Sequence, residues 1–334
     1  MPLDPSRIPG YVKGQPPDRT AMSKLTFMDE LEAIWGRRWG AQSKIGKLDY
    51  ALVCPPTENE ASPETFEDPA FYLLPDGPPD LPKMKKQYKA FEKALRENGV
   101  ELEVWELPDV AEGAYSRMRL LWAPASCFVI NGGAIIPRNG LAPWRHGHEA
   151  LKTKKLASLG CPILHTIRGG GVMESGGNVI FLDPHHALVG TGASGNEEGF
   201  RQIKAVLSEN GVREIHPVQF KDDIHLDLVF GLADAWLALV YPPGFDGKTM
   251  DYLTGKGIQL IEVSDEEHRN SACNVLALEP GKVLMVAGNP RAAEALRERN
   301  VTVIELEMSE YVKTGGGPHC ATGCLIRDPG PLLP

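Results

Sequence analysis

The hydrophobic positions of the chain fall into paired short runs that return at a near-constant interval. FVINGGAIIP from Phe128, NVIFLDPHHALVG from Asn178, HLDLVFGLADAWLALV from His225 and NVLALEPGKVLMVAG from Asn274 each place two apolar runs around a Gly, Asp or Pro turn. Each predicts a β-hairpin, and successive starts lie about fifty residues apart, the spacing of a repeat array. Every hairpin is followed by a helical pattern: HEALKTKKLASLG, NEEGFRQIKAVLSENG, DGKTMDYLTGKG and PRAAEALRERN. Three of these close on a glycine, the usual left-handed stop. One more apolar run follows each helix: CPILHTI, VREIHPV, IQLIEV and VTVIEL. The unit is therefore strand–strand–helix–strand, four times over.

A fifth unit is split between the ends of the chain. ALVCP from Ala51, the helix PKMKKQYKAFEKALRENG and the strand VELEVWEL lie near the start, and the missing strand is CLIR near the C-terminus. Five such units predict a five-bladed, pseudo-symmetric α/β propeller, its ring closed by the C-terminal strand. Closure removes the sheet edges that an open array must protect. A doubly wound sheet also alternates helices and strands, but it places one strand per helix. Here two precede each helix and one follows. Residues 1–40 are expected to form an N-terminal arm and helix, and 41–334 a single propeller domain. Within it, 55–82 is rich in proline and acids, too long for a simple connection, and is a candidate lid.

Composition narrows the class. The 334 residues are 42% hydrophobic and 24% charged, ordinary values for a globular protein. A net charge of −9 argues against a nucleic-acid partner, which needs basic surface. No apolar run is long enough for a transmembrane helix, and MPLDPSRIPG does not read as a signal peptide. The expectation is a cytoplasmic protein with no membrane partner. Six cysteines in this length do not make a disulfide scaffold.

Chemistry gathers in three stretches that interrupt the strand pattern at equivalent ends of blades: MESGGN (173–178), IHLD (224–227) and TGGGPHCATGC (314–324). In the last, Gly315-Gly316-Gly317 lead into His319 and Cys320. Glycines let backbone pass close to a ligand, and a Cys presented by such a loop becomes a nucleophile when a base adjoins it. His225 and Asp227 are two apart, which in a strand sends both side chains to one face. Candidate metal ligands are His146-x-His148, His185-His186 and His319-Cys320-x-x-x-Cys324. None has paired zinc-site spacing, so no metal is expected. The glycine triplets at 169–171 and 315–317 lack the Lys-Ser/Thr ending of a phosphate loop.

These segments resemble the guanidino-group-modifying superfamily of arginine deiminases, agmatine deiminases, dimethylarginine dimethylaminohydrolases and amidinotransferases. WGAQSKIGKLDYALVCPP is similar to the family's opening, IHLDLVF to its catalytic His-x-Asp segment, and GGGPHCATGCLIRDP to the nucleophile loop of arginine deiminases. The resemblance runs from about Trp35 to Asp328. It implies the propeller fold, a metal-free hydrolase of C–N bonds and no cofactor. Cys320 would attack an sp2 carbon carrying nitrogens, His225 would protonate the leaving group and then activate water, and Asp227 would accept substrate N–H groups.

The departures from the family pattern bear on the substrate. Where Glu-Gly-Gly-Asp is usual the chain reads Ser175-Gly176-Gly177-Asn178, so the acid orienting the histidine is displaced to Glu174 or absent. The usual second substrate Asp falls at Pro124-Ala125-Ser126, and the loop 192–196 lacks the usual arginine. Ser126, Asn178, Gly317 and His319 complete the expected substrate shell. A buried guanidinium needs anionic partners, and this site keeps fewer of them. The expectation is a small, weakly charged small-molecule substrate, with hydrolytic denitration of 2-nitroimidazole a specific candidate. Arginine or methylarginine hydrolysis, amidino transfer and a binding module without catalysis are the alternatives. A homo-oligomer is left open.

Overall fold

The computed structural model describes residues 6, 10–16, 18, 20, 23–61, 77–106, 120–126, 128–140, 146–192, 194–221 and 223–333. Most of the N-terminal arm and the 62–76 part of the candidate lid lie outside the described residues.

Helix α1 (Phe27–Trp35) is opened by a capping box between Thr26 and Asp29 and stopped by left-handed Gly36. The split unit follows: β1 (Leu48–Val53), α2 (Leu81–Glu97) and β2 (Glu101–Val104). Asp80 caps α2 by accepting from the Lys83 N–H, and Met84, Gln87, Tyr88, Phe91, Ala94 and Leu95 form its buried face at helical spacing. The complete units are β3 (Phe128–Ile130), β4 (Gly133–Ile136), α3 (His148–Ser158), β5 (Ile163–Thr166); β6 (Val179–Asp183), β7 (His186–Gly190), α4 (Glu197–Glu209), β8 (Glu214–Val218); β9 (Phe230–Asp234), β10 (Leu237–Val240), α5 (Gly247–Gly255), β11 (Gln259–Glu262); and β12 (Leu276–Glu279), β13 (Lys282–Val286), α6 (Pro290–Arg297), β14 (Thr302–Leu306). The chain ends with β15 (Gly323–Arg327). Left-handed Gly160, Gly211 and Gly257 follow the three helices that the sequence closes on glycine, and Asn300 (φ 62°) takes that role after α6.

These strands form five three-stranded sheets among the described residues. In each complete unit the hairpin strands pair antiparallel, and the second pairs parallel with the strand beyond the helix. The split unit repeats the scheme, with β15 antiparallel to β1 and β1 parallel to β2. The architecture is the five-bladed α/β propeller, closed by β15.

Hairpin strands are buried along nearly their whole length, as in β4 and β10, where all four residues are buried. The third strands are half-exposed, as in β5 and β11. Side chains of neighbouring blades merge into shared clusters, one of which joins Leu182, Leu188, Leu232, Ala238, Val283 and Met285. Packing this close demands glycine where backbones meet. A Cβ at Gly231 would lie 1.9 Å from the Cys273 carbonyl oxygen.

The structure corrects one local expectation. His225 and Asp227 are not in a strand. Leu226–Leu228 form a single 3-10 turn, capped by extended His225, and β9 begins only at Phe230. Same-face alternation therefore does not apply to them.

Candidate active site

The segments before the first strands of four blades come together. There Trp122, Ala125, Ser175, Ile224, His225, Asp227, Gly315 and Cys320 line a narrow cavity. All three stretches singled out in the sequence contribute to it.

Cys320 sits in the turn before β15 and is 7% exposed. Its N–H and that of Gly317 both donate to Asn274 Oδ1, each at 3.0 Å. Asn274 Nδ2 in turn donates to Cys320 Sγ at 3.0 Å and to the Asp227 carbonyl at 3.1 Å. One amide thus fixes the Cys320 loop to the His-x-Asp segment. The loop must be glycine-rich: a Cβ at Gly316 would stand 2.8 Å from Cys320 Cβ, and Gly315 is left-handed at φ 94°. Burial, then the neighbouring Asp227 charge, pushes the Cys320 thiol well above the usual cysteine range, against the Asn274 hydrogen bond.

Asp227 Oδ2 accepts from His319 Nδ1 at 2.6 Å and from the Cys320 thiol at 3.5 Å. Its Oδ1 is buried and accepts no hydrogen bond among the described residues. Burial pushes this carboxyl up, but the His319 hydrogen bond outweighs it together with the charges of His319, His225 and Lys44, so Asp227 is held below the usual carboxylate range. Gly177 makes room for it, since a Cβ there would meet the carboxylate at 2.6 Å.

Glu174 lies behind His225, its Oε2 4.0 Å from His225 Nε2. Its Oε1 accepts the Gly140 N–H at 2.9 Å, and its own N–H donates to the Ser194 carbonyl at 3.0 Å. The carboxylate displaced by one position in sequence thus faces the histidine.

Other expected residues are placed differently. Asn178 does not line the cavity: Nδ2 donates to Ser194 Oγ at 2.7 Å, and Oδ1 accepts the Leu226 N–H at 3.0 Å. It holds the 3-10 turn that carries Asp227. Gly317 also stands off the cavity, bound to Asn274. Ser126 ends a helical turn, Ala123–Ser126, whose Ala125 lines the cavity. His319 stands behind Asp227, and its Nε2 is 3.1 Å from Lys44 Nζ. In the loop 192–196, Ser194 donates to the Ile224 carbonyl and Asn196 caps α4, so these side chains serve the scaffold; residue 193 lies outside the described residues. No group of three or more His, Cys, Asp or Glu among the described residues could hold a metal ion.

Trp122, Asn274 and Lys44 were not foreseen. A signal for two of them existed. Trp122 and Asn274 precede the first strands of the remaining blades, and Asn274-Val275 repeats Asn178-Val179 one blade-pair along. Lys44 carries no such mark.

Comparison with known proteins points to one group of enzymes. The arginine deiminase family model matches residues 243–327. A 2-nitroimidazole nitrohydrolase from Mycobacterium sp. (strain JS330) is 28% identical over 91% of this chain and 86% of its own. The N(G),N(G)-dimethylarginine dimethylaminohydrolase of Pseudomonas aeruginosa is 27% identical over 73% of this chain and 89% of its own. These relatives and the matching family model make the chain similar to the guanidino-group-modifying superfamily. Solved structures share the fold. The N-terminal domain of ArgZ, a cyanobacterial arginine dihydrolase, superposes with a TM-score of 0.71 at 19% identity, covering 86% of this chain and 100% of that one. The P. aeruginosa dimethylaminohydrolase bound to citrulline gives 0.67 at 23%, covering 83% and 98%.

Proposed function

We propose that this protein is a cysteine hydrolase that cleaves a C–N bond at a guanidine-like or amidine-like sp2 carbon of a small, weakly charged substrate. The observation that carries the reading is the convergence of Cys320, His225 and Asp227 on one cavity, with Glu174 behind the histidine. The near full-length similarity to a 2-nitroimidazole nitrohydrolase makes that heterocycle the first candidate.

With 2-nitroimidazole, Asp227 Oδ1 accepts the ring N–H. Cys320 Sγ adds to C2 as His225 takes its proton, and nitrite departs with the C–N electron pair, receiving that proton from His225 to leave as nitrous acid. The result is a thioether-like adduct on Cys320. Water then attacks C2 while His225 takes its proton, oriented by Glu174. The C–S bond breaks back to the thiol and imidazol-2-one is released. Overall, water is consumed and nitrous acid is formed.

Arginine fits this cavity poorly. The stretch 124–126 has no carboxylate and the loop 192–196 has no arginine. Each lost charge-assisted contact is worth about 1.5–3 kcal/mol, so two cost roughly a hundredfold or more in kcat/KM.

The test is a substrate panel of 2-nitroimidazole, methylguanidine, agmatine and arginine, with nitrite, amine, ammonia and citrulline assayed together. Nitrite or amine release by the wild type, lost in Cys320→Ser, is the expected result. His225→Ala should lose ~10²- to 10⁴-fold in rate and accumulate a mass adduct on Cys320. Efficient citrulline formation from arginine would replace this reading with an arginine-type hydrolase.

A further inference from the structure

Behind Asp227 lies a partly buried pair, Lys44 and His319, that the proposed reaction does not use. Lys44 Nζ is 3.1 Å from His319 Nε2, and His319 Nδ1 is 2.6 Å from Asp227 Oδ2. The partners assign the tautomer. Asp227 can only accept, so Nδ1 carries the proton, and Nε2 is left to accept from the Lys44 amine. Arg327 adds a second cation on that side, with Nη2 3.6 Å from Cys324 Sγ and Nη1 on the Gly46 carbonyl. One oxygen of Asp227 is therefore spent on a chain that ends in positive charge. Only Oδ1, buried and unpartnered among the described residues, is left for a ligand.

That arrangement matters for charge selection. A guanidinium or amidinium binds a carboxylate best through two parallel N–H bonds to both oxygens. Here one oxygen is blocked and the charge is compensated from behind. A neutral planar ligand with a single ring N–H loses nothing by this.

We infer that Lys44, acting through His319, is a specificity-determining residue that sets the cavity for neutral amidine-like substrates over cationic guanidinium ones. The inference rests on the reading of the cavity as the substrate site. Lys44 does not line the cavity; it is a positioning residue whose charge is felt across His319. Burial draws both the Lys44 ammonium and the His319 imidazolium down from their ordinary values, while the Asp227 charge opposes this in each. One proton retained by Lys44 leaves the trio of Lys44, His319 and Asp227 neutral overall.

The experiment compares two thiol reagents of nearly the same shape, neutral chloroacetamide and cationic chloroacetamidine. Alkylation of Cys320 is followed by intact mass and peptide mapping, with Cys320→Ser as the control. The quantity read is the ratio of cationic to neutral rate. Lys44→Gln keeps a donor for His319 Nε2 and removes the charge; Lys44→Met removes both; Lys44→Arg keeps the charge. The ratio should rise about tenfold in Lys44→Gln and Lys44→Met, the scale of one unit charge removed from a protein interior, and stay near wild type in Lys44→Arg. An unchanged ratio in Lys44→Gln overturns the inference, and so does an equal rise in Lys44→Arg, which would make shape the cause. Should Lys44→Met fail to fold, Lys44→Gln alone decides. A wild type that turns over nothing in the substrate panel counts against the proposed function, while the alkylation ratio still reports on Lys44.

Discussion

Asp227 and Asn274, the polar side chains that touch Cys320, have partners that explain their positions, and the glycines explain why the partners fit. Gly177 is the clearest case, because the Asp227 carboxylate occupies the volume that a Cβ at 177 would need. Gly177→Ala should therefore move Asp227 while leaving the strands intact. The expected outcome is an unchanged far-ultraviolet circular dichroism spectrum with at least tenfold lower kcat/KM, about the loss of one charge-assisted contact. Wild-type kinetics in this variant would show that the Asp227 position is not critical. The buried thiol has a consequence of its own. Slow alkylation of Cys320 at neutral pH, which by itself resembles a lost nucleophile, is the expected behaviour of a thiol whose ionisation burial opposes. Only the change in alkylation when a ligand occupies the cavity speaks to catalysis.

At the scale of elements, polar anchors join helices that are distant in sequence. Glu310, in the helical turn Ser309–Lys313, receives the Asp80 N–H at 2.9 Å at the start of α2 and pairs with Lys83 at 3.0 Å and Lys313 at 2.9 Å. Burial pushes its carboxyl up, but the Asp80 N–H and the two ammonium groups pull harder and bring it from the ordinary 4.5 to about 2. A folded value below the unfolded one means stabilisation that is complete above the unfolded value and lost as pH falls from there through the folded value. Glu310→Gln should cost on the order of 2 kcal/mol at pH 7. That gap should close as the pH falls from 4.5 toward 2. Urea unfolding at several pH values would measure it, and a pH-independent gap would assign the loss to packing instead.

For the whole molecule, the closing pair of β15 and β1 is the long-range contact on which the ring depends, joining residues near 50 with residues near 325. The C-terminal tail adds a second tie, Leu333 N–H to Asp183 Oδ2 at 2.7 Å. Deleting 323–334 removes both and leaves β1 with a bare, buried edge. The truncated chain should lose its single cooperative thermal transition and associate on size exclusion. A truncated monomer that melts cooperatively would show that four complete blades suffice.

The hairpins, helices and split blade were legible in the sequence because each obeys a local period, two for strands and 3.6 for helices, and because a fifty-residue repeat leaves few ways to bury every strand. The family motif and the glycine triplet likewise single out Cys320 in the sequence. The site's finer wiring was not legible. Nothing local says that His225 caps a 3-10 turn, that Asn178 spends its amide on Leu226 and Ser194, or that Asn274 grips Cys320 and Asp227 together. Lys44 lies 275 residues from its partner His319. Such pairings are set by which segments ring closure brings together, and burial there favours polar groups that find partners. Local physics chose the blades; ring closure chose which side chains meet at the centre.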